Sequence, residues 1–303
     1  MRTLFTHLIM LLPAIAAGES FYLPPLDVDV IGSIRITEAL QEDTLLDVAL
    51  RFDVGQEEIL RANPDVDRWL PGENTKITIP TRYVLPSAPR RGLVLNVPEM
   101  RIYYYPEPEP GQPSEIHTYP VGIGRMDWAT PLGETRLVAR IKDPSWRPPE
   151  SIRKEHEADG DPLPTIVPAG PDNPLGRYAL KLDIPGYLIH STNKLYGVGM
   201  RVSHGCIRML PEDMERLFPL VTIHTPVRII NQPAKAGWQG DLLFLEVHPP
   251  LEEDQAGRDA LVETVMDVIH EAKMGHPVKL SIGAIKRAID EQSGIPVMIS
   301  EVE

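Results

Sequence analysis

The stretch GVGMRVSHGCIR, residues 197–208, says more about fold and chemistry than any other part of this chain. It contains Cys206, the single cysteine, preceded by His204 and Gly205, and a second histidine, His190, lies sixteen residues upstream of the cysteine. A thiol attacks as its thiolate and needs a base at neutral pH, which either histidine can supply. Gly205 lets the backbone approach a reacting carbonyl. A lone cysteine is most often a small buried hydrophobe, but the neighbouring histidines favour a nucleophile.

The composition limits the classes of fold and partner. With 303 residues and 42% hydrophobic content, the chain has room for two packed domains. A net charge of −13 argues against nucleic acid as a partner, because phosphate binding needs a basic surface. The 32 prolines are about twice the usual share of roughly 5%, which predicts more ordered loops and edge strands than long helices. A single thiol also excludes a disulfide framework and a cysteine-rich zinc site, and no metal site is predicted.

Residues 1–17 are predicted to be a cleaved signal peptide. A positive start is followed by a short apolar run, and the small-residue pattern at 14–16 suits a cleavage site. The alternative, a soluble N-terminal helix, is disfavoured by Pro13 and by the lack of a polar face. Exported chains tend to pair or lose their cysteines, so retention of Cys206 indicates reactivity.

Residues 34–80 are predicted to form a small β-α-α-β module. Apolar residues recur at helical spacing over 44–52, with Asp43 at the predicted N-cap, and a second helix over 56–62 precedes a closing strand. The alternative is a generic two-helix cap on the main domain. Residues 81–91, with two prolines, are predicted to be a linker.

Residues 92–231 are predicted to form a mostly β domain, because short strands recur at spacings typical of a sandwich or barrel. The predicted strands are a hairpin over 92–105, then 115–123, 135–141, 177–182, 187–190 and 227–230, with a helix over 211–218. Residues 143–176 hold eight prolines and are interpreted either as a lid over the site or as a solvated loop. Residues 232–303 are predicted to be a β/α extension, with two amphipathic helices that cover an apolar surface.

Together, His190, the tetrad at 203–206 and Arg208 resemble the signature of the L,D-transpeptidases, the YkuD-domain family. The resemblance is to the ErfK/YbiS/YcfS/YnhG type of Gram-negative bacteria and covers most of the chain. Residues 34–80 resemble a LysM module, a class that binds the N-acetylglucosamine-containing glycans of cell walls. The implied fold is a YkuD-like β-sandwich catalytic domain with short helices at 92–231, behind the LysM-like module.

The resemblance also implies roles for individual residues. Cys206 would be the nucleophile and His190 the general base, oriented by the backbone carbonyl of Ser191. His204 is the competing base because it is nearer in sequence. Adjacent residues on a strand point to opposite sides, so His204 is expected instead to hold the site together.

The implied reaction is transfer of a peptidoglycan stem peptide without a metal or organic cofactor. Cys206 attacks the third residue of a tetrapeptide stem, D-alanine leaves, and an amine resolves the thioester. The amides of Gly205 and Cys206 are expected in the oxyanion hole, and Arg208 and Ser203 are expected in substrate contacts.

The implied partners are peptidoglycan stems and glycan strands, an outer-membrane lipoprotein with a C-terminal lysine as the preferred acceptor, and carbapenem-type β-lactams as inhibitors. The signal peptide and the resemblance together predict the periplasm of a Gram-negative bacterium. Three alternatives stay open: 3-3 cross-linking between diaminopimelate residues, hydrolysis as a carboxypeptidase or endopeptidase, and a non-catalytic wall-binding protein that keeps a decayed enzyme fold.

Overall fold

A computed structural model describes residues 19–108, 110–254 and 257–301, so the predicted signal peptide at 1–17 lies outside the described residues. The helices are α1 (Leu45–Arg51), α2 (Gln56–Ala62), α3 (Glu150–Ala158), α4 (Pro211–Leu220), α5 (Arg258–Lys273) and α6 (Ile282–Glu291). Within the described ranges, no helix is long and apolar enough to cross a membrane.

The strands are mostly short, as the sequence predicts. They are β1 (Glu19–Tyr22), β2 (Val30–Gly32), β3 (Arg35–Glu38), β4 (Lys76–Ile79), β5 (Arg82–Val84), β6 (Gly92–Asn96), β7 (Arg101–Tyr105), β8 (Glu115–Gly124), β9 (Gly133–Lys142), β10 (Tyr178–Leu182), β11 (Leu188–His190), β12 (Arg201–Ser203), β13 (Ile207–Met209), β14 (Pro226–Ile230), β15 (Ala234–Gln239), β16 (Leu242–Val247) and β17 (Val297–Met298).

The N-terminal module, residues 34–80, has the element order β3-α1-α2-β4. The two strands pair antiparallel, and apolar side chains of α1, α2 and β4 share one buried core. We predicted Asp43 as the N-cap of helix α1, but this prediction is wrong, because Thr44 caps the helix. The Thr44 hydroxyl accepts the backbone N–H of Asp47 at 3.1 Å, whereas Asp43 forms an ion pair with Arg51 at the other end of the helix. The Asp43 carboxylate also accepts the backbone N–H of Leu40, which precedes the helix, at 2.8 Å.

One curled sheet forms the centre of the molecule. Among the described residues, its pairing follows the order β8-β13-β11-β10-β9-β14-β6-β7, and β7 pairs with β8 again, so the sheet returns to the strand where it began. Strands β1 and β12 also pair with β8. The main core is built largely from buried aliphatic side chains of these strands and of α4. The predicted mostly β class is thereby confirmed.

Two segments that were predicted to be irregular carry regular structure. Residues 81–91 contain β5, which pairs with β2 and buries Tyr83 and Val84, so this segment is packed and is not a free linker. Burial of its apolar side chains determines the structure of this segment more than its prolines do. Residues 143–176 contain α3, and a proline at the start of a helix is tolerated because the first amides have no partner within the helix.

The C-terminal extension forms a second layer, in which α5 and α6 pack on a β15-β16-β17 sheet. Leu261, Val265 and Ile269 of α5 and Ile285 and Ile289 of α6 are buried. These are the apolar stripes seen in the sequence, and the prediction that both helices cover an apolar surface is confirmed.

Candidate active site

Parallel pairing of β11 with β13 brings the two predicted catalytic residues together. The register pairs His190 with Arg208. Side chains two positions apart on a strand share a face, so Cys206, which directly precedes β13, lies on the face that carries Arg208 and His190. All three residues line one cavity of about 590 Å³.

The His190 imidazole is buried and held by the next residue. Its Nδ1 lies 2.5 Å from the backbone carbonyl oxygen of Ser191. A carbonyl only accepts, so Nδ1 carries the proton and Nε2 keeps the lone pair. The pKa of His190 is lowered to about 4, chiefly by burial and also by the Arg208 charge, while the Ser191 carbonyl opposes both effects. The imidazole is therefore neutral at pH 7 and able to accept a proton.

The Cys206 thiol is half-buried and lies 3.7 Å from the carbonyl oxygen of Gly186. Burial raises the pKa of Cys206, and this effect outweighs a backbone hydrogen bond from Leu188 and the charge of Arg208, which both lower it. At neutral pH the sulfur is therefore held as a thiol. Such a thiol needs a base to become a nucleophile, and His190 is the neutral base on the same face.

The nucleophile turn, residues 203–206, is fixed by Ser203. The buried Ser203 hydroxyl accepts the backbone N–H of Gly205 at 3.2 Å and donates to the carbonyl of Cys206 at 2.5 Å. Gly205 has φ +95°, and a Cβ there would lie 2.8 Å from the ring of Tyr187, so glycine is required on both counts.

Two expectations change at this turn. The Ser203 hydroxyl is occupied by the turn itself, so it orders the nucleophile where we expected a substrate contact. The Gly205 amide is likewise engaged with Ser203, and the Cys206 amide is the better candidate for the oxyanion contact.

His204 contacts the segment above the site. Its Nε2 lies 2.9 Å from the Glu155 carboxylate on α3, and its ring meets Trp128 edge-on at 5.2 Å. The other Glu155 oxygen accepts from Arg125 at 2.6 Å. Hydrogen bonds from Arg125 and His204 lower the pKa of Glu155. His204 thus connects the nucleophile turn to α3, and its expected role in holding the site together stays a prediction.

Sequence reasoning missed Glu155, Arg125 and Trp128. Glu155 is 49 residues from His204 in the chain, and nothing in the local sequence of α3 distinguishes it from its neighbour Glu157. Segment 143–176 also supplies Trp146, Ile152 and other residues to the cavity lining. The segment therefore lines the site, and its action as a lid stays a prediction.

The Arg208 guanidinium lines the same cavity. In the part of the chain that the structure describes, Arg208 takes part in no salt bridge. Burial lowers the pKa of Arg208, against the influence of Cys206. A partly desolvated guanidinium beside the nucleophile can accept a carboxylate in a two-pronged contact.

A second cluster of acceptor groups lies away from this cavity. Glu99, Glu246 and His248 place ligand atoms within 4.8 Å of one another. The Lys235 ammonium lies among them, at 2.9 Å from Glu99 and 2.7 Å from Glu246. Lysine thereby supplies the positive charge that a metal ion would bring, and the cluster is a buried ionic network.

A family model and several known proteins match this chain. Residues 90–229 match the family model YkuD, described as the L,D-transpeptidase catalytic domain. The chain is 36% identical over 288 residues to "Probable L,D-transpeptidase YcfS" of Escherichia coli strain K12, covering 93% of this chain and 88% of that protein. The chain belongs to the YkuD L,D-transpeptidase family.

Other relatives extend the similarity along the chain. "Probable L,D-transpeptidase ErfK/SrfK" of Salmonella typhimurium is 35% identical over 303 residues, covering 98% of this chain and 96% of that protein. "Probable L,D-transpeptidase YbiS" of Escherichia coli strain K12 is 35% identical over 292 residues, covering 94% and 93%. The predicted family is confirmed, and the protein is an L,D-transpeptidase.

Proposed function

We propose that this protein is a peptidoglycan L,D-transpeptidase with Cys206 as the nucleophile and His190 as the base. The observation that carries the proposal is the neutral His190 imidazole, oriented by the Ser191 carbonyl, on the same cavity face as the Cys206 thiol. A thiol, a base and a group that orients the base are the parts that acyl transfer requires.

In the donor step, Cys206 Sγ attacks the carbonyl carbon of the third residue of a tetrapeptide stem while His190 Nε2 takes the thiol proton. The carbonyl oxygen becomes an oxyanion that the Cys206 amide stabilises. The C–N bond to D-alanine then breaks, and the imidazolium gives its proton to the leaving amine. The products are free D-alanine and a thioester on Cys206.

In the acceptor step, an amine attacks the thioester carbonyl and His190 removes the proton that the amine loses. The C–S bond breaks, and the sulfur takes the proton back as a thiol. Arg208, which has no acidic partner among the described residues, would bind a carboxylate of the stem peptide and so fix the donor.

The acceptor that we propose is the C-terminal lysine of an outer-membrane lipoprotein. The support for it is similarity to the ErfK-like relatives over nearly the full chain. Diaminopimelate of a second stem, which gives 3-3 cross-links, and water, which gives carboxypeptidase or endopeptidase products, are the competing acceptors. We also propose that carbapenems acylate Cys206.

The setting of this activity is the periplasm, with residues 1–17 removed as a signal peptide, residues 92–231 as the catalytic domain and residues 232–303 as its β/α extension. Residues 34–80 would be a LysM-like module that binds glycan strands. Supporting this, the element order β3-α1-α2-β4 agrees with the order that suggested LysM.

The experiment is product analysis with purified disaccharide-tetrapeptide, first alone and then with a lysine-ended peptide or a second stem. We expect D-alanine release by the wild type and amide products with the lysine-ended peptide, and neither with Cys206→Ala. Folded wild-type protein that releases no D-alanine would instead favour a non-catalytic wall-binding protein.

A further inference from the structure

The N-terminal module touches the catalytic domain at the loop that leads to the nucleophile. This loop, residues 195–200, runs directly into β12 and then into the nucleophile turn. The backbone amides of Gln56 and Glu57, in the first turn of α2, donate to the carbonyls of Val198 and Gly199 at 3.3 and 3.0 Å. The loop is therefore bonded to the module by its main chain.

Two glycines make this approach possible. A Cβ on Gly199 would lie 2.3 Å from the amide nitrogen of Gln56 and 2.4 Å from Cα of Gly55. A Cβ on Gly55 would lie 3.1 Å from Cα of Gly199. There is no room for a side chain on Gly199 and only a tight fit for one on Gly55, so we expect a displacement of α2 to move the loop.

An ionic contact locks the same helix to the central sheet. Glu58 of α2 lies 2.7 Å from Arg101 of β7, and the Arg101 side chain is 1% exposed. The same Glu58 oxygen accepts the N–H of Gly55 at 2.8 Å. Glu58 thus binds the sheet and the glycine that contacts the loop at once. If Glu58 loses its charge, the buried Arg101 guanidinium loses its closest charged partner.

A third contact joins the module to α4, which follows β13. The carboxyl groups of Asp53 and Asp213 are both buried and face each other. Burial and the neighbouring Asp53 raise the pKa of Asp213 well above its usual value. Leu46 and Val54 of the module also share an apolar pocket with Tyr196 of the loop and Leu210.

Cys206 follows Gly199 of the loop by seven positions, and bonds along this stretch connect the loop to the nucleophile. The carbonyl of Met200 accepts the N–H of Ile123 at 3.0 Å, and β12 pairs with β8. Ser203, the last residue of β12, then orders Gly205 and Cys206. Arg201 adds a second anchor through its ion pair with Glu253 at 2.7 Å. Hydrogen bonds, strand pairing and an ion pair therefore hold the segment that connects the α2 contact to the nucleophile.

We propose that helix α2 of the N-terminal module is a positioning element for Cys206, acting through the Gly55–Gly199 contact and the Glu58–Arg101 ion pair. The module is then part of the catalytic unit in addition to any glycan binding. The proposal goes beyond the proposed function and rests on it only in taking Cys206 as the nucleophile.

The test replaces Gly55 by serine in the full chain. Gly55 has ordinary helix N-cap backbone angles, and serine is a preferred N-cap residue, so the substitution does not strain the helix itself. Its Cβ would press on Gly199. The matched control is Gly257→Ser at the N-cap of α5, where the backbone angles are similar and a Cβ would meet nothing within 4 Å.

Two readouts separate this proposal from the proposed function. Hydrogen–deuterium exchange of residues 197–206 needs no catalytic activity, and we expect it to be several-fold faster in Gly55→Ser than in Gly257→Ser. The rate of Cys206 acylation by a carbapenem should fall several-fold, since a 1 Å displacement can cost about 100-fold and this contact requires a shift of a fraction of that. The urea midpoint should match that of the control.

A second variant covers failure of the first to fold. Glu58→Gln keeps an oxygen for Gly55 but loses the charge that Arg101 requires, and we expect the same faster local exchange, with Glu58→Asp closer to the wild type. Equal exchange and equal acylation rates in Gly55→Ser, Glu58→Gln and the control would overturn the proposal. Wild-type protein that is not acylated at Cys206 would count against the proposed function, while the exchange data would still decide this one.

Discussion

At the scale of residues, the site depends on a buried histidine that stays neutral. Burial lowers the pKa of His190 to about 4, so protons bind it only below that pH. The unfolded chain would protonate it near 6.5. Between these values the unfolded state binds more protons, so this residue's contribution to stability falls as the pH drops from 6.5 towards 4.

The first prediction concerns how the rate of Cys206 acylation depends on pH. In the wild type we expect an acid limb with an apparent pKa near 4, because protonated His190 cannot act as a base. In His190→Gln the rate at pH 7 should fall by about 10²- to 10⁴-fold. It should then rise with pH as the thiol ionises. Identical pH profiles for the two proteins would exclude His190 as the base.

The second prediction concerns Ser203, whose hydroxyl holds the nucleophile turn. Ser203→Ala removes its bonds to the Gly205 amide and the Cys206 carbonyl. We expect the acylation rate to fall by about tenfold through loss of alignment. KM for the stem peptide should change little, because the hydroxyl is not free to bind substrate. The exposed Ser87→Ala is the control; a change in KM alone would restore the substrate-binding role.

At the scale of elements, α3 is attached to the site by one carboxylate. The third prediction is that Glu155→Gln weakens donor binding and slows acylation several-fold, because Glu155 bridges His204 and Arg125. Glu157→Gln, on the exposed side of the same helix, is the matched control. Steady-state kinetics of the two variants test this prediction. Equal kinetics would show that α3 does not support the site.

Sequence periodicity predicted elements well where a local pattern exists. Helix α2 begins and ends at the predicted residues, 56 and 62, and the Asn63-Pro64 pair that follows it is a stop signal. Helix α3 was missed because its segment is rich in proline and polar residues and because the helix itself buries a single side chain, Ile152. The cap of α1 was misassigned because Asp43 and Thr44 are both good caps, and Thr44 is the one that forms a capping box with Asp47.

The residues discussed for the site also fall into those that the sequence predicts and those that it does not. The Cys206 and His190 pair was predictable because both residues lie in a recognisable sequence pattern. Glu155 and Arg101 were not, since each acts through a partner 49 or 43 residues away in the chain. A single sequence does not show such pairings, which depend on how the elements pack.

At the scale of the whole molecule, a buried ionic network joins the catalytic domain to the C-terminal extension. The fourth prediction is that Lys235→Met lowers the free energy of unfolding by about 3–5 kcal/mol, because Glu99 and Glu246 are left buried without their cation. Lys279→Met, which removes an exposed ion pair with Glu301, should cost less than about 1 kcal/mol. Urea denaturation measures both, and similar losses would contradict the role of the network.

The central claim is that Cys206 carries the acyl group during turnover, and trapping that intermediate tests it most directly. The fifth prediction is read from the mass of protein quenched during reaction with a disaccharide-tetrapeptide. The wild type should gain the mass of the donor minus D-alanine, located on the peptide that contains Cys206, and Cys206→Ala should gain nothing. Turnover without this adduct, or an adduct on Cys206→Ala, would contradict the mechanism.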